Sequence, residues 1–367
     1  MQIHVLIEPS FRHSNWCRRA INGIYAETRR KKYKLHFLHE PPTDMQAVFG
    51  GGPRLVIVIG TSISWIPKVL HSFEANGIHA ILVNYDFFSL PANHSVVHMD
   101  YVNAMQRLMG YFYHYDRRRI ALFGFNPNSS SDRIKERFFK TALAARGEAE
   151  PQRHVFRNCG SIGECFDRFL PLAASYDAVI CANDLVAVFA LKRLRAAGIP
   201  VPQRLLLAGF GESILAQKVE PPLTAATLNY EEMGRQAVTL LAYMHRLNVR
   251  VIASVQLECA LVVRRSTLDL PALPDMLLGP VDSCEDSINF YKDPEVQRML
   301  YLEDFYFGLD ELDQKILVLL EQNMPLEEIA EKCQASSSTI GYRIRSMQQR
   351  SGTASRRELL QCVSLDN

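Results

Sequence analysis

Arginines stand at positions 343, 345, 350, 356 and 357, inside a stretch from Ser336 to Arg357 that contains no acid. Within it Ile340, Ile344 and Met347 recur at i, i+4 and i+7, which defines one buried face of a helix. Ser338, Gly341, Tyr342, Arg345 and Gln349 are left on the outer face, with Arg343 at its margin and Arg350 towards its end. A guanidinium group can read guanine with two hydrogen bonds, a glutamine amide can read adenine, and the other groups suit phosphate. The preceding segment is acidic (Asp310, Glu311, Asp313, Glu321, Glu327, Glu328, Glu331), so positive charge is concentrated on one helix. That pattern predicts a double-stranded DNA contact. A small helical interaction domain with a solvated basic face is the plainer alternative.

A second group of residues suits a small polar ligand. Asn183 and Asp184 directly follow the apolar run Ala178–Cys181, and Asp100 stands between another such run and a helical pattern. Trp16 lies with Phe11 in the first strand-to-helix loop. Amides and carboxylates at strand ends bind hydroxyls, and flat rings cover the apolar faces of a sugar. Asp184 fits equally a ligand contact or a cap on the following helix. Trp16 fits equally a stacking ring or a core side chain under a loop.

The elements that must position these groups are legible from hydrophobic period. Short apolar runs occur at Ile3–Ile7, Leu35–Leu38, Leu55–Ile59, Ala80–Val83, Ile120–Phe123, Ala178–Cys181, Leu205–Ala208 and Ala260–Val263. Most are separated by stretches with helical spacing, such as Ile66, Val69, Leu70 and Phe73. Strand and helix alternating this often predict an α/β architecture with parallel sheets covered on both faces. Residues 1–265 are long for one such sheet, so two Rossmann-like lobes are expected, with the break near His114–Arg119. Residues 266–306, punctuated by Pro271, Pro274, Gly279, Pro280 and Pro294, read as a linker with a short helix. Residues 307–367 read as a small all-α domain. Its first two apolar stripes are Leu312, Ile316, Leu319, Leu320 and Leu326, Ile329, Ala330, Cys333.

Composition limits the alternatives. The 367 residues are 48% hydrophobic and 22% charged, which suits a globular chain with a sizeable core. Lys+Arg 41 against Asp+Glu 39 leaves a net charge of +2, so any nucleic-acid site must be local. Eight cysteines show no metal-like or disulfide-like spacing. They suit reduced thiols, and a cytoplasmic location is expected. No apolar run approaches the ~18 residues that cross a bilayer, and the N-terminus reads as a strand, not a leader. Gly50–Gly52 runs into Pro53, so there is no P-loop, and GFGES at Gly209–Ser213 lacks dinucleotide spacing. No nucleophile or zinc motif appears. No enzyme activity, cofactor or metal is expected.

Two resemblances sharpen these expectations. The segment GLDELDQKILVLLEQNMPLEEIAEKCQASSSTIGYRIRSMQQRSGTASRRELL resembles a LuxR-type DNA-binding domain, most specifically in EEIAEKCQASSSTIGYRI. The resemblance implies a recognition helix carrying Thr339, Ile340 and Tyr342 to Arg345, followed by a helix that dimerises. Gly341 and Arg343 depart from the Lys and His common in that family, so no base preference carries over.

The run AVICANDLVAVFALKRLRAAGIPVPQRLLLAGFGES, followed by EPPLTAATLNYEEMGRQAVTLL and LECALVVRRST, resembles the sensor of LacI/GalR-type regulators and periplasmic sugar receptors. IHAILVNYD, VVHMDYVNAMQRLMGYFY and RRRIALFGF extend the likeness upstream. The resemblance implies that Asn183 binds the ligand. Two positions depart from it. The family's acidic position in this turn is Gly211, with Glu212 adjacent. The family's arginine falls at Ile134, with Arg133 one residue away. The expectation is a one-component, homodimeric transcription regulator. Its sensor would bind a sugar or sugar derivative through Phe11, Trp16, Asp100, Arg133, Asn183, Asp184 and Glu212. The alternative is a soluble sugar receptor without regulatory DNA binding.

Overall fold

A computed structural model describes residues 1–363 apart from 13, 43, 45–47, 50–53, 87–93, 248–250, 269 and 272–293. The chain divides into two compact units, Met1–Gly279 and Pro280–Asn367. Most of the expected linker, with Pro274, Gly279 and Pro280, lies outside the described residues.

The first unit holds two parallel sheets. Lobe 1 contains β1 (Gln2–Ile7), β2 (Lys34–Leu38), β3 (Leu55–Ile59), β4 (His79–Val83), β5 (Ser95–Met99) and β11 (Ser254–Leu257) in the order β11-β5-β4-β3-β1-β2. Lobe 2 contains β6 (Ile120–Phe125), β7 (Val155–Arg157), β8 (Ala178–Cys181), β9 (Leu206–Phe210), β10 (Thr224–Ala226) and β12 (Leu261–Val262) in the order β12-β10-β9-β8-β6-β7. Only β12 runs antiparallel to its neighbour. Strands such as β4 and β8 are buried at every position because helices cover both faces, and this is why they read as unbroken apolar runs. Four strands escape the sequence reading. Three of them (β7, β10, β11) are short or polar, and β5 carries Ser95 and His98 among its valines.

Helices α1 (Asn15–Arg30), α2 (Ile66–Ala75) and α8 (Tyr230–Met244) belong to lobe 1. Helices α3 (Tyr101–His114), α4 (Ser130–Ala144), α5 (Ile162–Phe169), α6 (Asp184–Ala196) and α7 (Ile214–Lys218) belong to lobe 2. The pair α1 and α8 cross at backbone contact. A Cβ on Gly23 would lie 1.8 Å from the Glu231 carbonyl oxygen, and one on Gly234 would lie 2.0 Å from that of Ala20. Only glycine permits this approach.

The chain does not pass between lobes at His114–Arg119, as expected, but earlier, at Met99–Tyr101. Helix α3 packs on α4, β10 and β12, and its buried Tyr111 hydroxyl donates to the Thr267 and Leu270 carbonyls. The apolar face of α3 thus assigns it to lobe 2. The chain returns between β10 and α8 and crosses again between β11 and β12. These passages are tied together, with Asp100 N–H donating to Leu257 O at 2.8 Å and Thr227 N–H to Ala260 O at 2.7 Å.

In the second unit α9 (Pro294–Phe307) precedes α10 (Glu311–Glu321), α11 (Leu326–Lys332), α12 (Ser337–Ser351) and α13 (Arg356–Val363). Ile316, Ile329, Ile340, Ile344, Met347, Leu359 and Val363 share one core. Ser336 caps α12 by accepting Thr339 N–H at 3.1 Å, and Gly352 ends it at φ +65°.

Candidate functional site

Parallel strands place their loops at the carboxyl ends of the sheet, where ligands bind in folds of this kind. In the first unit the loops after β3 and β6 clasp one another. Ile63 N–H donates to Asn128 O at 2.9 Å and Ser130 N–H to Thr61 O at 2.8 Å, forming an isolated antiparallel bridge at Ser62 and Ser129. Ser64 N–H donates to Asn128 Oδ1 at 3.2 Å, and Asp86 N–H to Ser130 Oγ at 3.3 Å.

Behind this clasp lies an unusually polar interior. Glu8, directly after β1, is 2% exposed. Its carboxylate accepts Thr61 N–H at 3.0 Å, Ser62 N–H at 3.1 Å and the hydroxyls of Ser10 and Ser62. Buried charge is tolerated only when satisfied in this way. Asp86 and Asp184 are buried too. Lys135, on α4, is 3% exposed, and among the described residues no other lysine or arginine is buried to this degree. Its ammonium donates to Ala182 O at 3.0 Å and stands 2.7 Å from Asp132 Oδ1.

The expected ligand residues fall into distinct settings. Phe11 and Trp16 pack together with ring centroids 5.6 Å apart, and Trp16 meets Tyr230 at 6.1 Å. Tyr230 in turn lies within the fields of Asp184 and Asp132, and burial pushes its phenol upward in pKa. Asp184 has its pKa raised because burial desolvates the carboxylate. It accepts Ser213 N–H at 2.5 Å. Asn183 and Asp100 are helix caps. Asn183 Oδ1 accepts Val186 N–H at 3.1 Å, and Asp100 Oδ1 accepts Asn103 N–H at 3.0 Å. Glu212 is ion-paired with Arg264. Arg133 is exposed on α4. Phe11, Trp16 and Asp184 therefore gather around Tyr230; Glu212, paired with Arg264, adds its field to that of Asp184, and Arg133 acts on Tyr85.

Sequence reasoning missed Glu8, Tyr101, Lys135, Phe210 and Tyr230. A signal existed for some. Glu8 and Tyr101 stand one and two residues beyond a strand end, and Lys135 is the neighbour of Ile134, where the family resemblance places an arginine.

In the second unit Ser338, Thr339, Tyr342, Arg345 and Gln349 are exposed on α12. A Cβ on Gly341 would meet nothing within 4 Å. Arg343 is engaged elsewhere, its Nη1 bonding Asp310 Oδ2 at 2.5 Å and lying 3.3 Å from Asp313. Arg350 donates to the Gly308 carbonyl at the end of α9. These two guanidinium groups hold the helices together.

The two parallel sheets and the passages between them give the first unit a two-lobed α/β fold like that of LacI-family sensor domains. Residues 109–267 match the family described as periplasmic binding protein-like domain. The chain is similar to the HTH-type transcriptional repressor CytR of Escherichia coli, 27% identical over 180 residues, covering 48% of this chain and 52% of that protein. It is 27% identical over 245 residues to the HTH-type transcriptional regulator GalR of Streptococcus thermophilus, covering 64% of this chain and 70% of that one. The solved complex of the transcriptional regulator CelR with cellobiose superposes with a TM-score of 0.62 at 19% identity, covering 72% of this chain and 84% of that one. The chain spans about half the length of the first curated relatives it matches.

Proposed function

We propose that the chain is a transcription regulator. Its two-lobed unit senses a small polar effector, a sugar or sugar derivative, and its C-terminal helices bind double-stranded DNA. The observation that carries this reading is one chain joining two parts. One is a two-lobed domain like that of a regulator solved with cellobiose, and the other is a helical unit displaying Tyr342, Arg345 and Gln349. The names of the curated relatives, HTH-type repressor and regulator, support it. On this reading residues 1–265 are the sensor, 266–306 the linker, of which Ser266 and Thr267 are buried against the sensor and Leu302 and Phe305 join the helical core, and 307–367 a LuxR-type helix-turn-helix, supported by the order of α10 to α13 and the cap at Ser336.

A homodimer follows from the same physics. One short recognition helix meets few phosphates, and two on paired half-sites raise both affinity and salt dependence. A cytoplasmic location accords with DNA as the partner. Among the described residues no helix is long and apolar enough to cross a membrane.

An effector moves such a switch only through its differential affinity for two states, about 5.5 kcal/mol for a 1:99 to 99:1 change. The test is a thermal-shift screen of cellobiose, glucose, ribose and sugar phosphates, with duplex binding measured by anisotropy across salt concentrations. A stabilising sugar that also changes duplex affinity is expected. Binding of a sugar with no duplex affinity at any salt concentration would leave a receptor.

A further inference from the structure

The Lys135 ammonium has three aromatic faces around it. It lies 4.5 Å from the centroid of Phe210, 5.1 Å from Tyr101 and 5.2 Å from Phe125. A carboxylate oxygen of Asp132 and the Ala182 carbonyl complete the shell. Several aromatic faces plus an acid and a carbonyl acceptor are what proteins use to recognise ammonium ligands. Tyr101 is itself fixed from the other lobe, its hydroxyl donating to Asn84 Oδ1 at 2.5 Å, and its ring meets Phe210 edge-on at 6.5 Å.

We infer that lobe 2 contains, where Tyr101 reaches lobe 1, an ammonium-recognition cage whose occupant is the chain's own Lys135. The cage takes a primary alkylammonium. The lysine stem delivers that group from α4, and the Tyr101 ring carries its attraction across to Asn84 of lobe 1. Lys135 is thus a positioning residue that binds lobe to lobe. An amine-bearing effector would have to displace it, whereas hydroxyl groups would not compete for the cage. The inference concerns this cage alone and does not depend on which effector the sensor takes.

Truncation to Lys135→Ala removes the atoms of n-propylammonium. The experiment follows thermal unfolding of the full chain, wild type and K135A, in n-propylammonium chloride, with sodium chloride and 1-propanol as controls. K135A is expected to melt about 3–10 °C lower than wild type. Propylammonium should raise its midpoint saturably, the two controls should not, and wild type should not respond. A folded K135A that gains nothing from propylammonium overturns the cage. Lys135→Met supplies a second reading if K135A fails to fold, because it fills the space without the charge. K135M melting below wild type supports the inference, and K135M at or above wild-type stability overturns it.

Discussion

Gly211 faces the carboxylate of Asp184 so closely that a Cβ on Gly211 would stand 2.7 Å from Asp184 Oδ2. Gly211 also has φ +112°, a backbone conformation that L side chains rarely adopt. The turn after β9 therefore excludes a side chain at this position, and with it the aspartate that the family resemblance would place there. Gly211→Ala should lower stability by about 1–3 kcal/mol through backbone strain and the displaced carboxylate. Chemical denaturation measures it, and an unchanged midpoint would remove the constraint.

Asn183 separates two roles by simple substitution. Its Oδ1 caps α6, so Asn183→Ala should cost about 0.5–2 kcal/mol, whereas Asn183→Ser restores an acceptor and most of the stability. If the amide also binds the effector, both variants lose the effector-induced rise in melting temperature. Retention of that rise in N183S would confine Asn183 to capping.

The arginines of α12 should divide the same way. Arg345 is exposed, and Arg345→Ala should weaken duplex binding by about 1–3 kcal/mol while leaving the melting temperature unchanged. Arg343 is tied to Asp310 and Asp313, and Arg343→Ala should lower the melting temperature by leaving the buried Asp313 without its cation. Anisotropy and calorimetry on both variants give the comparison. The opposite pattern would reverse the roles.

Gly341 offers the reverse of Gly211. It lies within α12 in open space. Gly341→Ala should stabilise the helical unit by about 0.5–1 kcal/mol. A loss of duplex affinity in this stabler variant would show that the missing Cβ serves close approach to DNA.

Histidines make stability depend on pH. His4 of β1 and His36 of β2 are direct register partners with rings stacked at 5.7 Å. Burial, then the charge of His36, lowers the pKa of His4, and burial lowers that of His98. The folded chain thus holds these imidazoles neutral, while the unfolded chain takes protons near 6.5. Their contribution is complete above that value and is lost as pH falls below it. Urea midpoints at about pH 7.5 and about pH 5.5 should show the loss, and His4→Leu should reduce it. Equal midpoints would show that protonation is not linked to folding.

The sequence by itself determined the two-sheet α/β architecture and the separate helical unit. Strands buried on both faces must be apolar throughout, and α12 must repeat Ile340, Ile344 and Met347 on its inner face. Capping was legible at Ser336 but not in the sensor, where the cap fitted Asp184 in the sequence and falls on Asn183 in the fold, since Asp184 is taken by Ser213 N–H. Only the tertiary structure decided which charges are inside. Glu8 and Lys135 read as surface groups in a linear chain, because a buried charge is favourable only when distant partners satisfy it. Thr61 stands 53 residues from Glu8 and Ala182 stands 47 from Lys135. Arg343 shows the same dependence, because only the fold brings Asp310, 33 residues upstream, against it. Burial patterns are local in sequence, whereas charge compensation depends on which loops the fold brings together.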